Sequence, residues 1–143
     1  EPINWLMKIA ENLREFRKKL GVVTEIEITN PITGKKYIAK ALWDTGATYT
    51  CLSKKLAEEM ELEQVGFYNL TTPLGVISSV PSYDITLKLD PNKSAHYQLR
   101  AGVFEGSKDF DVALGLDLIL NGKLSMWVDK GVFNFEFIEN VYR

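Results

Sequence analysis

Ala41-Leu42-Trp43-Asp44-Thr45-Gly46-Ala47-Thr48 sets one carboxylate at the end of an apolar run, immediately before a glycine turn. A solvent-facing acid has no reason to end such a run. With no Cβ at Gly46 the main chain can come close, so turn N–H groups can reach the Asp44 carboxylate. The structural alternative is an Asx turn in which the carboxylate merely closes a loop. Three residues of turn-like composition leave both readings open, and the surroundings have to decide between them.

Upstream, Val23, Glu25, Glu27 and Thr29 alternate with Thr24, Ile26 and Ile28; Asn30-Pro31-Ile32-Thr33-Gly34 breaks the run, and 36–43 resumes it. This is a β-hairpin whose second strand delivers Asp44. Downstream, Cys51-Leu52 returns to apolar residues, and Ser53 before Lys54–Met60 reads as a capped short helix. Short strands are expected near 66–71, 76–80, 84–89, 98–104, 110–114, 124–128 and 132–137. Turn signals separate them at Thr72-Pro73-Leu74-Gly75, Asp90-Pro91-Asn92-Lys93, Glu105-Gly106-Ser107 and Asp129-Lys130-Gly131. Many short strands at close spacing mean a barrel or sandwich. At the N-terminus, Leu6, Ile9, Leu13, Phe16 and Leu20 recur at three- and four-residue spacing from Asn4 onward, which predicts an amphipathic helix stopped by Gly21.

Composition narrows the function classes. The 143 residues fit one ordinary domain, able to bury roughly 70% of its unfolded surface without disulfides or structural metal. Cys51 is a lone cysteine, so no internal disulfide and no cysteine-cluster zinc site can form. Lys and Arg number 17 against 19 Asp and Glu, which gives no basic bias toward nucleic acid. No apolar run reaches the roughly 18 residues of a membrane span. The single free thiol fits a reducing compartment, so a cytoplasmic location is expected. A start at Glu1 without Met fits a processed product and an excised piece of a longer chain equally.

A second run, Val112-Ala113-Leu114-Gly115-Leu116-Asp117-Leu118-Ile119, is apolar up to its glycine and is followed by a short helical segment. Taken with Asp44–Ala47, this pair of motifs resembles the retropepsin-like aspartic proteases, in the manner of their cellular and bacterial members. In that family a strand delivers Asp-Thr-Gly-Ala to the active site, and an apolar pair with Gly passes behind it. Leu70–Ile77 lies where the family's hairpin flap should be, with Pro73 and Gly75 marking its tip. The resemblance covers about 22–137.

It implies an all-β fold, a closed retropepsin-like barrel over 22–143 with a short internal helix; the amphipathic helix over 1–21, read from its spacing, precedes that domain and lies outside the resemblance. The resemblance also implies an aspartic endopeptidase. Carboxylate-driven peptide hydrolysis needs one group as base toward water and a second, protonated, to polarise the carbonyl. One chain supplies a single Asp-Thr-Gly, so the partner expected is a second copy, its Asp44 meeting the first across a two-fold axis. The resemblance assigns catalysis to Asp44, Thr45 and Gly46. The Thr45 hydroxyls would bond across the axis, and the Gly46 N–H would donate to the carboxylate. A peptide or protein substrate would lie against Leu42, Ala47, Thr48, Tyr49, Leu52, the flap residues Thr72, Pro73, Leu74, Gly75, Val76 and Ile77, and Ala113. No cofactor and no metal are expected. Retroviral members brace the dimer with an acid and an Arg where Thr48 and Leu116 stand here, so this dimer must be braced differently. Ala47 offers no hydroxyl to the carboxylate, which predicts an activity optimum in the mildly acidic range.

Rival chemistries are poorly supplied. Cys51 and His96 are each the sole residue of their kind; the thiol falls in an apolar strand and the imidazole beside a turn. Asp109, Asp111 and Asp117 could be imagined around a metal, but they read better as surface acids and a helix cap. The alternative function is a retropepsin-fold dimerisation or peptide-binding module that does not cleave.

Overall fold

The computed structural model describes residues 6–139. The described chain is mostly β. Its elements run β1 (Leu6–Asn12), α1 (Leu13–Phe16), β2 (Val23–Thr29), β3 (Lys36–Trp43), β4 (Cys51–Ser53), α2 (Lys54–Glu59) and β5 (Gln64–Thr72). They continue with β6 (Gly75–Lys88), β7 (Tyr97–Phe104), β8 (Val112–Leu114), α3 (Leu116–Ile119), β9 (Gly122–Asp129) and β10 (Val132–Glu139). The chain divides into two units, one made of residues 6–22 with 119–139, the other of Val23–Leu118.

The larger unit is a seven-stranded sheet in the order β2-β3-β8-β4-β7-β6-β5, with β2 also pairing with β6. Alternation on β2 and β3 turns Ile26, Ile28, Ala39, Ala41 and Trp43 into the core. Asn30 fixes the connection between them. Its side-chain oxygen accepts the Ile32 N–H at 2.9 Å, and its amide donates to the Met60 carbonyl at 3.0 Å, so a buried polar group is satisfied on both ends. The expected cap of α2 is present, with Ser53 Oγ accepting the Leu56 N–H at 3.1 Å.

Two strands expected at 76–80 and 84–89 are one continuous β6, which runs through Pro81. The β7 ladder begins at Ser82, so at Pro81 the strand has a partner on one side only and a missing N–H is tolerated.

The smaller unit corrects the expected N-terminal helix. Leu6–Asn12 is a strand, paired antiparallel to β10 along its whole length, and only four residues, Leu13–Phe16, are helical. Asn4 and Trp5, where the helix was expected to begin, lie outside the described residues. Two periods fit this sequence. The helical spacing competes with an alternation in which Met7, Ile9 and Glu11 share one face and Lys8, Ala10 and Asn12 the other. An isolated helix of this length is marginal. Pairing with β10 satisfies the backbone and sets Met7 and Ile9 beside Phe137 and Phe135. Asn12 then starts the helix late, its Oδ1 accepting the Arg14 N–H at 2.8 Å. Phe16 stacks on Phe133 with ring centroids 3.7 Å apart. Leu20, the last residue of the helical stripe, is 64% exposed.

Candidate active site

Strand order decides the geometry around Asp44. β8 lies between β3 and β4, parallel to the first and antiparallel to the second, and Trp43 is level with Leu114. The connection from β3 to β4, residues 44–50, therefore has to pass across the C-terminal end of β8. There it meets Gly115. A Cβ at that position would stand 2.6 Å from the Tyr49 carbonyl carbon, 2.8 Å from its oxygen and 3.0 Å from the Ala47 oxygen. Only glycine lets the two backbones approach this closely.

The crossing is stapled by hydrogen bonds. The Asp44 N–H donates to Leu114 O at 2.9 Å, Leu116 N–H to Ala47 O at 2.8 Å, and Asp117 N–H to Thr48 O at 3.1 Å. Below them Thr50 is fully buried. Its hydroxyl donates to Asp117 Oδ1 at 2.8 Å and accepts the Gly115 N–H at 3.1 Å, while its own N–H reaches the same carboxylate at 3.1 Å. Asp117 also accepts the Leu118 N–H at 2.9 Å, but it stands inside α3 rather than ahead of it, so the expected cap role is replaced by the grip on Thr50. Its grip on Thr50 has no local signature, because the two residues are far apart in the chain. Thr50 was missed for the same reason.

Within this frame Asp44 is half-buried and its Oδ1 accepts the Gly46 N–H at 3.0 Å. Thr45, Gly46, Thr48 and Tyr49 are exposed, and Ala47 is half-buried. Leu42 and Ala113 are half-buried neighbours in register across β3 and β8. Leu52 does not belong with them. It is fully buried on β4, in the core, where no peptide can touch it. Alternation on a three-residue strand is too short to reveal which face is inward.

The hairpin expected at 70–77 is present. β5 and β6 pair out to Thr72↔Gly75, and Pro73 and Leu74 form the tip, with Gly75 at φ 131. Leu74, Val76 and Ile77 are exposed, at 100%, 63% and 53%. Tyr68 on β5 stacks on Tyr49, their ring centroids 4.7 Å apart and the planes within 10°. Burial raises the Tyr68 phenol above its ordinary range.

Cys51 is not a poised nucleophile. Burial foremost, then the charge of Asp117, pushes its thiol up to about 11. That leaves roughly 100-fold less thiolate near neutral pH than an ordinary cysteine has. Alkylation of the folded chain by iodoacetamide at pH 8 is expected to be slower than in denaturant by about that factor; equal rates would refute the assignment. His96 is exposed, with Nδ1 3.1 Å from the Ser94 carbonyl. Among the described residues no three His, Cys, Asp or Glu side chains gather as a metal cluster, and no helix is long and apolar enough to cross a membrane.

Comparison with known proteins gives a fold and nothing finer. No protein-family model matches the chain, and no curated protein sequence matches it. Among solved structures it is similar to the crystal structure of a retropepsin-like aspartic protease from Rickettsia conorii. The TM-score is 0.50 at 15% sequence identity, over 99% of this chain and 98% of that one. At that identity the likeness is one of fold.

Proposed function

We propose that the chain is an aspartic endopeptidase acting as a homodimer, with one Asp44 from each copy flanking a hydrolytic water. The observation that carries this reading is the Asp44 loop itself: a half-buried carboxylate holding the Gly46 N–H at 3.0 Å, stapled across β8. The fold shared with the Rickettsia conorii protease supports it.

The chemistry follows from having one such carboxylate per chain. A lone carboxylate can act as base or as acid, but not as both toward the same water and carbonyl. With two sharing one proton, the ionised group takes a proton from water while the protonated one donates to the scissile carbonyl oxygen. Thr45 hydroxyls would hold the two loops together across the axis, and the β5–β6 hairpin would cover an extended peptide by strand addition. Leu42, Ala47, Ala113, Val76 and Ile77 make an apolar lining, so apolar side chains are expected beside the scissile bond.

The test combines solution mass with hydrolysis of a denatured protein, with and without a statine-type inhibitor. Inhibitor-sensitive cleavage is expected, with specific activity falling as the protein is diluted and its mass drops to that of one chain. A strictly monomeric species with full activity would defeat the symmetric site.

A further inference from the structure

Two features of the β5–β6 hairpin fall at the same level. From Gly66↔Ser82 to Tyr68↔Val80 its strands run in one register, and from Leu70↔Ile77 outward in another, so that Asn69 alone faces Ser78 and Ser79. Such a two-against-one bulge breaks the ladder and bends the strand. Ser79 has φ 58, left-handed backbone that glycine adopts most readily, and its N–H donates to the Asn69 side-chain oxygen at 3.2 Å. Burial changes at the same point: Val80 and Ser82 are buried, whereas residues 73–79 are all exposed. The second feature sits one residue below the bulge. There the Tyr68 ring stacks on Tyr49 of the Asp44 loop, and its hydroxyl donates to the Arg100 carbonyl on β7 at 3.0 Å. One side chain thus joins hairpin, loop and sheet.

A hairpin bends where its restraints end. Below the bulge β6 is paired with β5 and, from Ser82, with β7, with the ring pair added; above it the ladder among the described residues joins β5 and β6 to each other. We propose that Tyr68 is a positioning residue that pins the base of the hairpin to the Asp44 loop, making the Asn69/Ser78-Ser79 bulge the hinge of its outer arm. The kinetic consequence rests on the peptidase reading. The mechanical coupling rests on the geometry alone.

The experiment is backbone amide exchange on the full chain, alongside peptide kinetics, for Tyr68→Leu, Tyr49→Leu and Tyr68→Phe. The two leucine variants are expected to speed exchange over residues 45–50 roughly fivefold, the size of effect an aromatic pair supports, with β2 and β3 unchanged. Tyr68→Phe keeps the ring pair and should leave that loop within about twofold of the parent. In hydrolysis, Tyr68→Leu should raise KM and lower kcat together, because arm and carboxylate loop lose their common reference. A rise in KM alone, or a folded Tyr68→Leu chain with unchanged exchange over 45–50, overturns the proposal. If Tyr68→Leu does not fold, Tyr49→Leu, at a position 40% exposed, decides by the same criterion. Coupled exchange in a chain whose parent hydrolyses nothing upholds the clamp and removes the peptidase reading instead.

Discussion

Asp44→Asn is expected to abolish peptide hydrolysis, by roughly 1,000-fold or more, in a chain that stays folded and keeps the parent's mass in solution. The amide is nearly isosteric with the carboxylate, and its oxygen can still accept the Gly46 N–H that Asp44 Oδ1 accepts at 3.0 Å. The turn therefore keeps its local bond, and Asp44 is only half-buried, so the stability change should stay within about 1 kcal/mol. What the amide lacks is a proton to give or a charge with which to take one. Mixing the variant with active parent sharpens the test. If each site needs one carboxylate from each copy, excess variant poisons parent chains by drawing them into mixed dimers. Activity that simply tracked the amount of parent chain would mean that each chain works alone.

Gly115→Ala is expected to be the most damaging small substitution in the larger unit, at about 3 kcal/mol of stability. The new methyl would meet main-chain atoms of Tyr49 and Ala47 at 2.6 to 3.0 Å, and backbone cannot rotate away as a side chain can. Relief requires lifting residues 47–50 off the end of β8. That movement would break the bonds from Thr50 to Asp117 and from Gly115 N–H to the Thr50 hydroxyl. Hydrolysis should fall with it, although no atom of Asp44 has been altered. Denaturant midpoints measure the first effect and peptide assays the second. Thr50→Val, which removes only the hydroxyl, should cost about 1 to 2 kcal/mol, and combining the two should cost less than their sum because both undo one staple. A Gly115→Ala chain with parental stability would show that the crossing is looser than its geometry implies.

How much of this could be read from the chain follows the range of the forces involved. The β2–β3 hairpin, the Ser53 cap and the hairpin tip at Pro73–Gly75 were legible because alternation, a capping hydroxyl and turn residues act over a few positions. The Asp44 turn was legible too, since an acid ending an apolar run before glycine is a local oddity. The helix expected over 4–20 was not formed as read, because two periods fitted the same residues and pairing with a strand more than a hundred positions away chose between them. Leu52 was misplaced from the cleft to the core on a strand too short to show its alternation.

The order of apolar runs and turns, by itself, determined a mostly β chain carrying one carboxylate on a glycine turn, for those are consequences of local backbone preference and of side chains alternating about a strand. Tertiary structure alone decided that β8 threads between β3 and β4, that Gly115 must yield space to Tyr49, that Asp117 holds Thr50, and that Tyr68 lies on Tyr49. Each of these joins residues with no periodic relation along the chain, and it is the packing of strands from distant segments that brings them within reach of one another.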